Sequence, residues 1–266
     1  MSADVDPFLV DALRAAGCVF AEEEAAVLTA EARTRGHLEL MLARREAGEP
    51  LEQIVGWAEF CGIRIAVAPG VFVPRQRTEA MVDLAVAILV DAERPVVVDL
   101  CCGTGAIGVA IAARVPDVEL HAADLDPDAV ACARRNVTMG EVYEGDLYDA
   151  LPADLAGRVD VLAVNAPYVP SDEIALMPTD ARDHEHRIAL DGGPDGVAVH
   201  RRVAADAASW LRPGGTLLIE TGRRQADATA AACADAGLAA GVVVREVSTL
   251  VRAISAGSGS SGTMAR

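Results

Sequence analysis

The stretch Val96-Val97-Val98-Asp99-Leu100-Cys101-Cys102-Gly103-Thr104-Gly105-Ala106-Ile107-Gly108 limits the folds open to this chain more than any other. Its first five residues are apolar without alternation, apart from Asp99, as expected of a strand covered on both faces in a parallel sheet. A glycine-rich turn follows and runs into a helix start, with Gly103, Gly105 and Gly108 at G-x-G-x-x-G spacing. Glycines let a backbone approach a ligand closely, and the helix N-terminus offers N–H groups to it. The pattern then repeats: strand 118–123, helix 128–136, a short strand near Val142 and strand 159–164. Strands alternating with helices predict an α/β fold with a doubly wound parallel sheet. Helix 197–210, strand 215–220, helix 225–236 and strands 242–246 and 249–254 complete it.

The part before this sheet reads differently. Helices are expected over 7–16, 21–34 and 37–46, followed by a break at Gly48-Glu49-Pro50. Residues 58–74 turn and alternate as a β-hairpin, and Thr78 stands as the N-cap of a helix over 79–90. The organisation expected is a helical domain over 1–50, a hairpin linker over 51–78, the large α/β domain over 79–254 and a flexible Gly/Ser-rich tail over 255–266.

Composition excludes several chemistries. Every one of the 23 basic residues is Arg, so Schiff-base and P-loop lysine chemistry are absent. A formal charge of −17 opposes nonspecific binding to nucleic-acid backbones, which depends on Lys and Arg displacing counterions. Six cysteines without a C-x-x-C pair show neither zinc-ribbon spacing nor a disulfide framework. His184 and His186 form an H-x-H flanked by Asp180 and Asp183, but histidine on an acidic loop reads as surface, and no metal is expected. No run is long and apolar enough to span a membrane and the N-terminus lacks a signal-peptide pattern, so a cytoplasmic protein is expected.

Two further features point to the ligands. Asp124 ends the strand after the glycine loop, where a carboxylate can accept both hydroxyls of a ribose, and helix N-capping is its alternative role. Dinucleotides and S-adenosylmethionine both satisfy this pattern. Asn165-Ala166-Pro167-Tyr168 ends the strand over 159–164, at the sheet edge where ligands bind in open α/β folds. A side-chain carbonyl beside a backbone carbonyl suits an NH2 group, although Asn and Pro also make ordinary turns.

Asp99 followed by the glycine loop resembles the D-x-G-x-G-x-G signature of class I methyltransferases, with Cys101 in place of the first glycine. Over about 48–237 the chain is similar to the protein-(glutamine) side-chain-amide methyltransferases that modify release factors and a ribosomal protein. The likeness rests on Glu49-Pro50-Leu51-Glu52-Gln53-Ile54-Val55-Gly56, on Pro69-Gly70-Val71-Phe72-Val73-Pro74-Arg75 with Thr78-Glu79, and on Asn165–Tyr168. Arg182-Asp183-His184-Glu185 and Ala189-Leu190-Asp191-Gly192-Gly193-Pro194-Asp195-Gly196 complete it. The family's Asn-Pro-Pro-Tyr is Asn-Ala-Pro-Tyr here, and its Pro-Arg-Pro-x-Thr-Glu is Pro-Arg-Gln-Arg-Thr-Glu.

The resemblance implies a seven-stranded sheet, S-adenosyl-L-methionine as cofactor and a protein substrate, such as a peptide chain release factor with a Gly-Gly-Gln loop. It implies a cofactor site from Phe72, Arg75, Asp99, Cys101, Cys102, Gly103, Thr104, Gly105, Asp124, Leu125, Asp146, Leu147 and Asn165. Core packing remains the alternative for Phe72 and Val73. The resemblance also implies Asn165, Ala166, Pro167 and Tyr168 as the amide-holding residues, and the N-terminal helical region, which in that family helps select the protein substrate, is expected to be a shortened one. The rivals are an amino-methyltransferase acting on a nucleic-acid base, a small-molecule N-methyltransferase, an NAD-dependent oxidoreductase and a silent adaptor. Charge opposes the first, and the Asn165–Tyr168 stretch is unexplained by the oxidoreductase.

Overall fold

The computed structural model describes residues 6–245 and 247–257. The chain begins with α1 (Pro7–Ala15), where the Asp6 carboxylate accepts the Phe8 N–H and Pro7 occupies the first turn. Next come α2 (Ala21–Glu31) and α3 (Arg35–Glu46). The expected helix over 21–34 ends early because Thr34 is extended and caps α3, its hydroxyl accepting the His37 N–H at 3.1 Å. A short α4 (Leu51–Val55), ended by Gly56 at φ 83°, lies within the stretch expected as linker. Its Ile54 joins Leu9, Leu13, Leu28 and Met41 in one apolar cluster, so α4 packs with the N-terminal helices.

The hairpin pairs β1 (Trp57–Phe60) with β2 (Ile63–Ala66). Its two connecting residues, Cys61 and Gly62, both have positive φ, as a tight hairpin turn matched to strand twist requires. A 3₁₀ turn over Gln76–Thr78 runs directly into α5 (Glu79–Leu89). Thr78 stands at the N-cap position expected, but its side chain makes no capping hydrogen bond. It already has helical dihedrals, and its buried hydroxyl has no partner among the described residues. The helix start is instead tied to the hairpin through Glu79 Oε1, which accepts the Cys61 N–H at 2.9 Å.

The large sheet contains β3 (Val96–Leu100), β4 (Glu119–Asp124), β5 (Glu141–Glu144), β6 (Val159–Val164), β7 (Leu211–Glu220), β8 (Ala239–Arg245) and β9 (Ser248–Ile254). Their order is β5-β4-β3-β6-β7-β9-β8. All neighbours run parallel except β9, which is antiparallel to both β7 and β8. The seven strands confirm the expected doubly wound fold, while the antiparallel insertion is additional to the parallel sheet read from the sequence. Helices α6 (Ala106–Ala112), α7 (Pro127–Asn136), α8 (Thr179–His184), α9 (Ala198–Trp210) and α10 (Ala226–Asp235) accompany it. The charged α8 has no apolar periodicity, so nothing in its pattern announced a helix.

Alternate residues of the central strands enter two apolar layers. Val97, Val161, Ala163 and Leu218 face α5 and α6, and Val98, Leu162, Val164 and Ile219 face α9. The strand order reverses between β3 and β6, and the loops leaving their carboxyl ends diverge into a cleft there. Ser255, expected to open a flexible tail, is held by the Gly215 carbonyl through its N–H and by the Arg212 carbonyl through its hydroxyl. The rest of that tail from Ser258 lies outside the described residues.

Candidate active site

The glycine loop is fixed mainly by backbone groups. Cys101 (φ 58°), Gly103 (φ 55°) and Gly105 (φ 76°) are all left-handed, so Cys101 accepts in place of glycine a conformation that side chains rarely adopt. Asp124 at the end of β4 accepts the Gly103 N–H through Oδ2 at 2.8 Å and the Asp126 N–H through Oδ1 at 2.9 Å. The N-cap of α7 is Asp126, which accepts the Asp128 N–H, so Asp124 is not the capping residue. Burial raises the Asp124 pKa against the opposing pull of these N–H groups. Beneath the loop, Asp99 Oδ2 accepts the Gly108 N–H at 2.9 Å, whereas Oδ1 is buried without a partner among the described residues. Burial pushes Asp99 up to about 8, opposed by that N–H. A Cβ at Gly108 would lie 2.8 Å from Leu120 Cδ1, so the third glycine serves packing of helix on sheet. Burial raises the Cys101 and Cys102 thiols well above their ordinary range, which keeps them un-ionised.

The second half of the cleft is made by side chains. Asn165 follows β6, and its side-chain amide has no hydrogen-bond partner among the described residues. Ala166 is buried, and Tyr168 turns its hydroxyl toward two partners from distant segments. Arg77 Nη2 donates to the Tyr168 hydroxyl at 2.8 Å, the hydroxyl donates to Glu220 Oε1 at 3.4 Å, and Arg77 Nε donates to the same oxygen at 3.2 Å. Burial and the Glu220 charge raise the phenol pKa against Arg77, so the hydroxyl stays protonated. Behind the stretch, His200 lies under Tyr168 with ring centroids 6.3 Å apart, and its Nδ1 is 2.9 Å from Thr229 Oγ1. Burial lowers His200 to about 4, opposed by the neighbouring Ala166 carbonyl, so the ring is neutral.

A clasp joins the two halves. Gln53 Nε2 donates to the Val71 and His184 carbonyls at 3.2 and 3.0 Å. Glu185 Oε1 accepts the Val73 N–H at 3.1 Å and Arg75 Nη2 at 2.6 Å, and Arg75 lies over the Phe72 ring. The His186 N–H donates to the Gly70 carbonyl, and its ring covers Gly70 so closely that a Cβ there would meet Nε2 at 2.2 Å. The H-x-H pair does not converge. His186 Nδ1 lies 2.6 Å from Asp126 Oδ2, with Asp128 nearby, while His184 contributes its carbonyl to Gln53.

The cleft has a volume of about 810 Å³, within the range of small-molecule sites. Of the residues expected in it, Phe72, Arg75, Cys101, Gly103, Asp124, Leu125, Asp146, Leu147 and Asn165–Tyr168 line its wall. Asp99 lies under the loop, and Cys102, Thr104 and Gly105 belong to the loop without lining the cleft; Cys102 and Thr104 border a small void that Asn165 also lines. Val73 packs with Ala58 and Val67, which is the core role left open for it. Gln53 and Glu185 lie in stretches that carry the resemblance but were given no role there, and Arg77, His200 and Glu220 were not expected in the site. Of these three Glu220 carried a local signal: like Asp124 and Asn165, it is a polar residue at the carboxyl end of an apolar strand.

Comparison with known proteins agrees with this geometry. The family described as "Methyltransferase small domain" matches residues 62–179, and with the sheet order it places the chain in the class of doubly wound methyltransferases. A release factor glutamine methyltransferase of Bifidobacterium longum is 36% identical over 82% of this chain and 80% of its own length. The chain belongs to the release factor glutamine methyltransferase family. The relative of that name from Streptomyces coelicolor is 42% identical over 68% of this chain. A 4-amino-L-phenylalanine/4-methylamino-L-phenylalanine methyltransferase of Streptomyces pristinaespiralis is 40% identical, also over 68%. The chain spans 65% and 64% of the lengths of these two relatives. Among the described residues no helix is long and apolar enough to cross a membrane.

Proposed function

We propose that the chain transfers a methyl group from S-adenosyl-L-methionine to the side-chain amide nitrogen of a glutamine in a protein, with a peptide chain release factor as substrate. The observation that carries this reading is the uncommitted Asn165 amide at the end of β6, beside the glycine loop and in the same cleft as Asp124. The donor set fits the cofactor. Asp124 is held by two N–H groups at the place for a ribose diol, and a side chain added at Gly103 would meet nothing, leaving the backbone open to close approach. Asp146, fixed by Arg202 at 2.8 Å, stands where an adenine amine would find an acceptor. Phe72, Leu125 and Leu147 supply apolar walls, and Cys101 lines the cleft beside them.

The cofactor supplies an electrophilic methyl group on a sulfonium; orientation falls to the protein. A primary amide nitrogen is a weak nucleophile because its lone pair is delocalised into the carbonyl, so positioning and electrostatics must provide most of the acceleration. Asn165 Oδ1 and the Ala166 carbonyl accept the two N–H groups and turn the nitrogen toward the methyl. A carbonyl has two lone pairs, so proximity to His200 leaves that of Ala166 able to accept. On transfer of that methyl from the sulfonium to the nitrogen, both acceptors would face the positive charge developing on the amide, and the surplus N–H proton would leave to solvent. Tyr168 borders the flat amide. A translation-protein substrate places this activity in the cytoplasm.

A second reading is methylation of a small-molecule amine, favoured by the 40% identity to the methyltransferase of S. pristinaespiralis. Incubation with methyl-labelled S-adenosyl-L-methionine and a purified release factor, followed by peptide mass spectrometry, tests the first reading. A methylated glutamine is expected; label found only in small metabolites of a lysate would replace it with the second.

A further inference from the structure

We infer that Arg77 is a specificity-determining residue that donates a hydrogen bond to a neutral carbonyl oxygen of the substrate, selecting a peptide-borne glutamine over a free amino acid. This rests on the amide-methylation reading above. It starts from register. Val164 of β6 pairs with Ile219 of β7, so Asn165 and Glu220 are the next residues on adjacent parallel strands. Ala163 and Leu218 share one apolar layer, and strand side chains alternate, so Asn165 and Glu220 face the same side. Glu220 is 1% exposed and anchors Arg77 there, while the Tyr168 hydroxyl closes the triangle.

Arg77 carries five N–H donors in a rigid fork. Nε and Nη2 are engaged, whereas Nη1 has no partner among the described residues, and the side chain lines the cleft. The other cleft arginines, Arg75 beside Glu185, Arg187 beside Asp191 and Arg202 beside Asp146, also keep N–H groups without a partner among the described residues, but only Arg77 is bonded to the Asn165–Tyr168 stretch. Charge then decides the kind of acceptor. Glu220 already balances the guanidinium, in a chain of net charge −17, so Arg77 offers direction and little net attraction for an anion. A main-chain or amide carbonyl suits such a donor better than a carboxylate.

The test compares a capped Gly-Gly-Gln peptide with free glutamine as methyl acceptors for the wild type, Arg77→Met and Arg77→Lys. S-adenosylhomocysteine affinity and unfolding midpoint are measured alongside. The wild type is expected to favour the capped peptide at least about tenfold in kcat/KM. Arg77→Met should raise the KM for that peptide about tenfold, with kcat changed less and S-adenosylhomocysteine affinity within about twofold. Arg77→Lys should recover part of the loss. An active wild type with an unchanged KM in Arg77→Met, or one that prefers free glutamine, overturns the inference alone. A wild type that binds S-adenosylhomocysteine but methylates neither acceptor overturns the amide reading, and this inference with it.

Discussion

The two halves of the cleft stand at the same edge of one sheet and are built in opposite ways. Around Asp124 the hydrogen bonding is by main-chain N–H groups of the loops after two neighbouring strands, with Gly103 and Asp126 both bonded to the Asp124 carboxylate. Around Asn165 it is made from side chains brought together across the sequence: Tyr168 meets Arg77 from 91 residues away and Glu220 from 52. Backbone geometry is set by glycine placement and tolerates most side-chain change, which suits an invariant cofactor. A side-chain triangle can be altered one residue at a time, which suits a substrate that differs among relatives.

The largest effect should fall on Asn165. Asn165→Ala is expected to lower kcat about a thousandfold, comparable with removal of one transition-state hydrogen-bonding group, while S-adenosylhomocysteine affinity changes by less than about twofold. Equal loss of both in calorimetry and turnover assays would erase the division between the halves. Asp124→Ala should do the converse, weakening S-adenosylhomocysteine binding about a hundredfold through loss of a charged acceptor. If cofactor affinity survives, the diol site lies elsewhere. At the seam between the halves, Gly70→Ala forces a Cβ into the His186 ring at a residue with φ 81°, and should cost roughly 2 kcal/mol by urea denaturation. An unchanged midpoint would show that the clasp yields.

The last expected effect is a slope, spread over several pH units. Asp99 has a folded-state pKa of about 8 against an ordinary value of 3.8, so the folded protein holds this proton more tightly. Its contribution to stability is therefore fully present below about pH 4 and is lost as pH rises to about 8, by at most ~1.4 kcal/mol per pH unit, the slope of one proton. Asp99→Asn keeps an acceptor for the Gly108 N–H and removes that component. Identical wild-type and variant slopes in urea titrations between pH 5 and 8 would mean that Asp99 is ionised throughout. His200, lowered to about 4 from 6.5, acts in the other direction, with stability lost as pH falls from 6.5 toward 4.

The same contrast explains what could be read in advance. The strand over 159–164 was legible to the residue because a fully buried parallel strand is an unbroken apolar run between turns, and the glycine loop because its spacing is local. Polar residues ending such strands marked Asp124 and Asn165. Arg77 gave no sign, since an arginine in a short turn looks like any exposed cation until Glu220 and Tyr168 arrive by folding. A helix end erred where capping competed, since Thr34 served the following helix; Thr78 stands at its expected position but is absorbed into a continuous turn without capping. Cys101 in a left-handed conformation shows the opposite case, where the loop kept its shape although the residue favouring that shape had changed.

The placement of β9 has a consequence for synthesis. Among the described residues it is the last strand in chain order but lies inside the sheet, between β7 and β8, and β8 has no other strand neighbour there. A ribosome-bound chain halted before residue 248 would therefore hold an eighth strand with nothing to pair with, and a sheet edge at β7 open to any passing segment. Completion of the domain waits for almost the whole described chain to emerge, so nascent chains of this protein should acquire protease resistance in a late, single step.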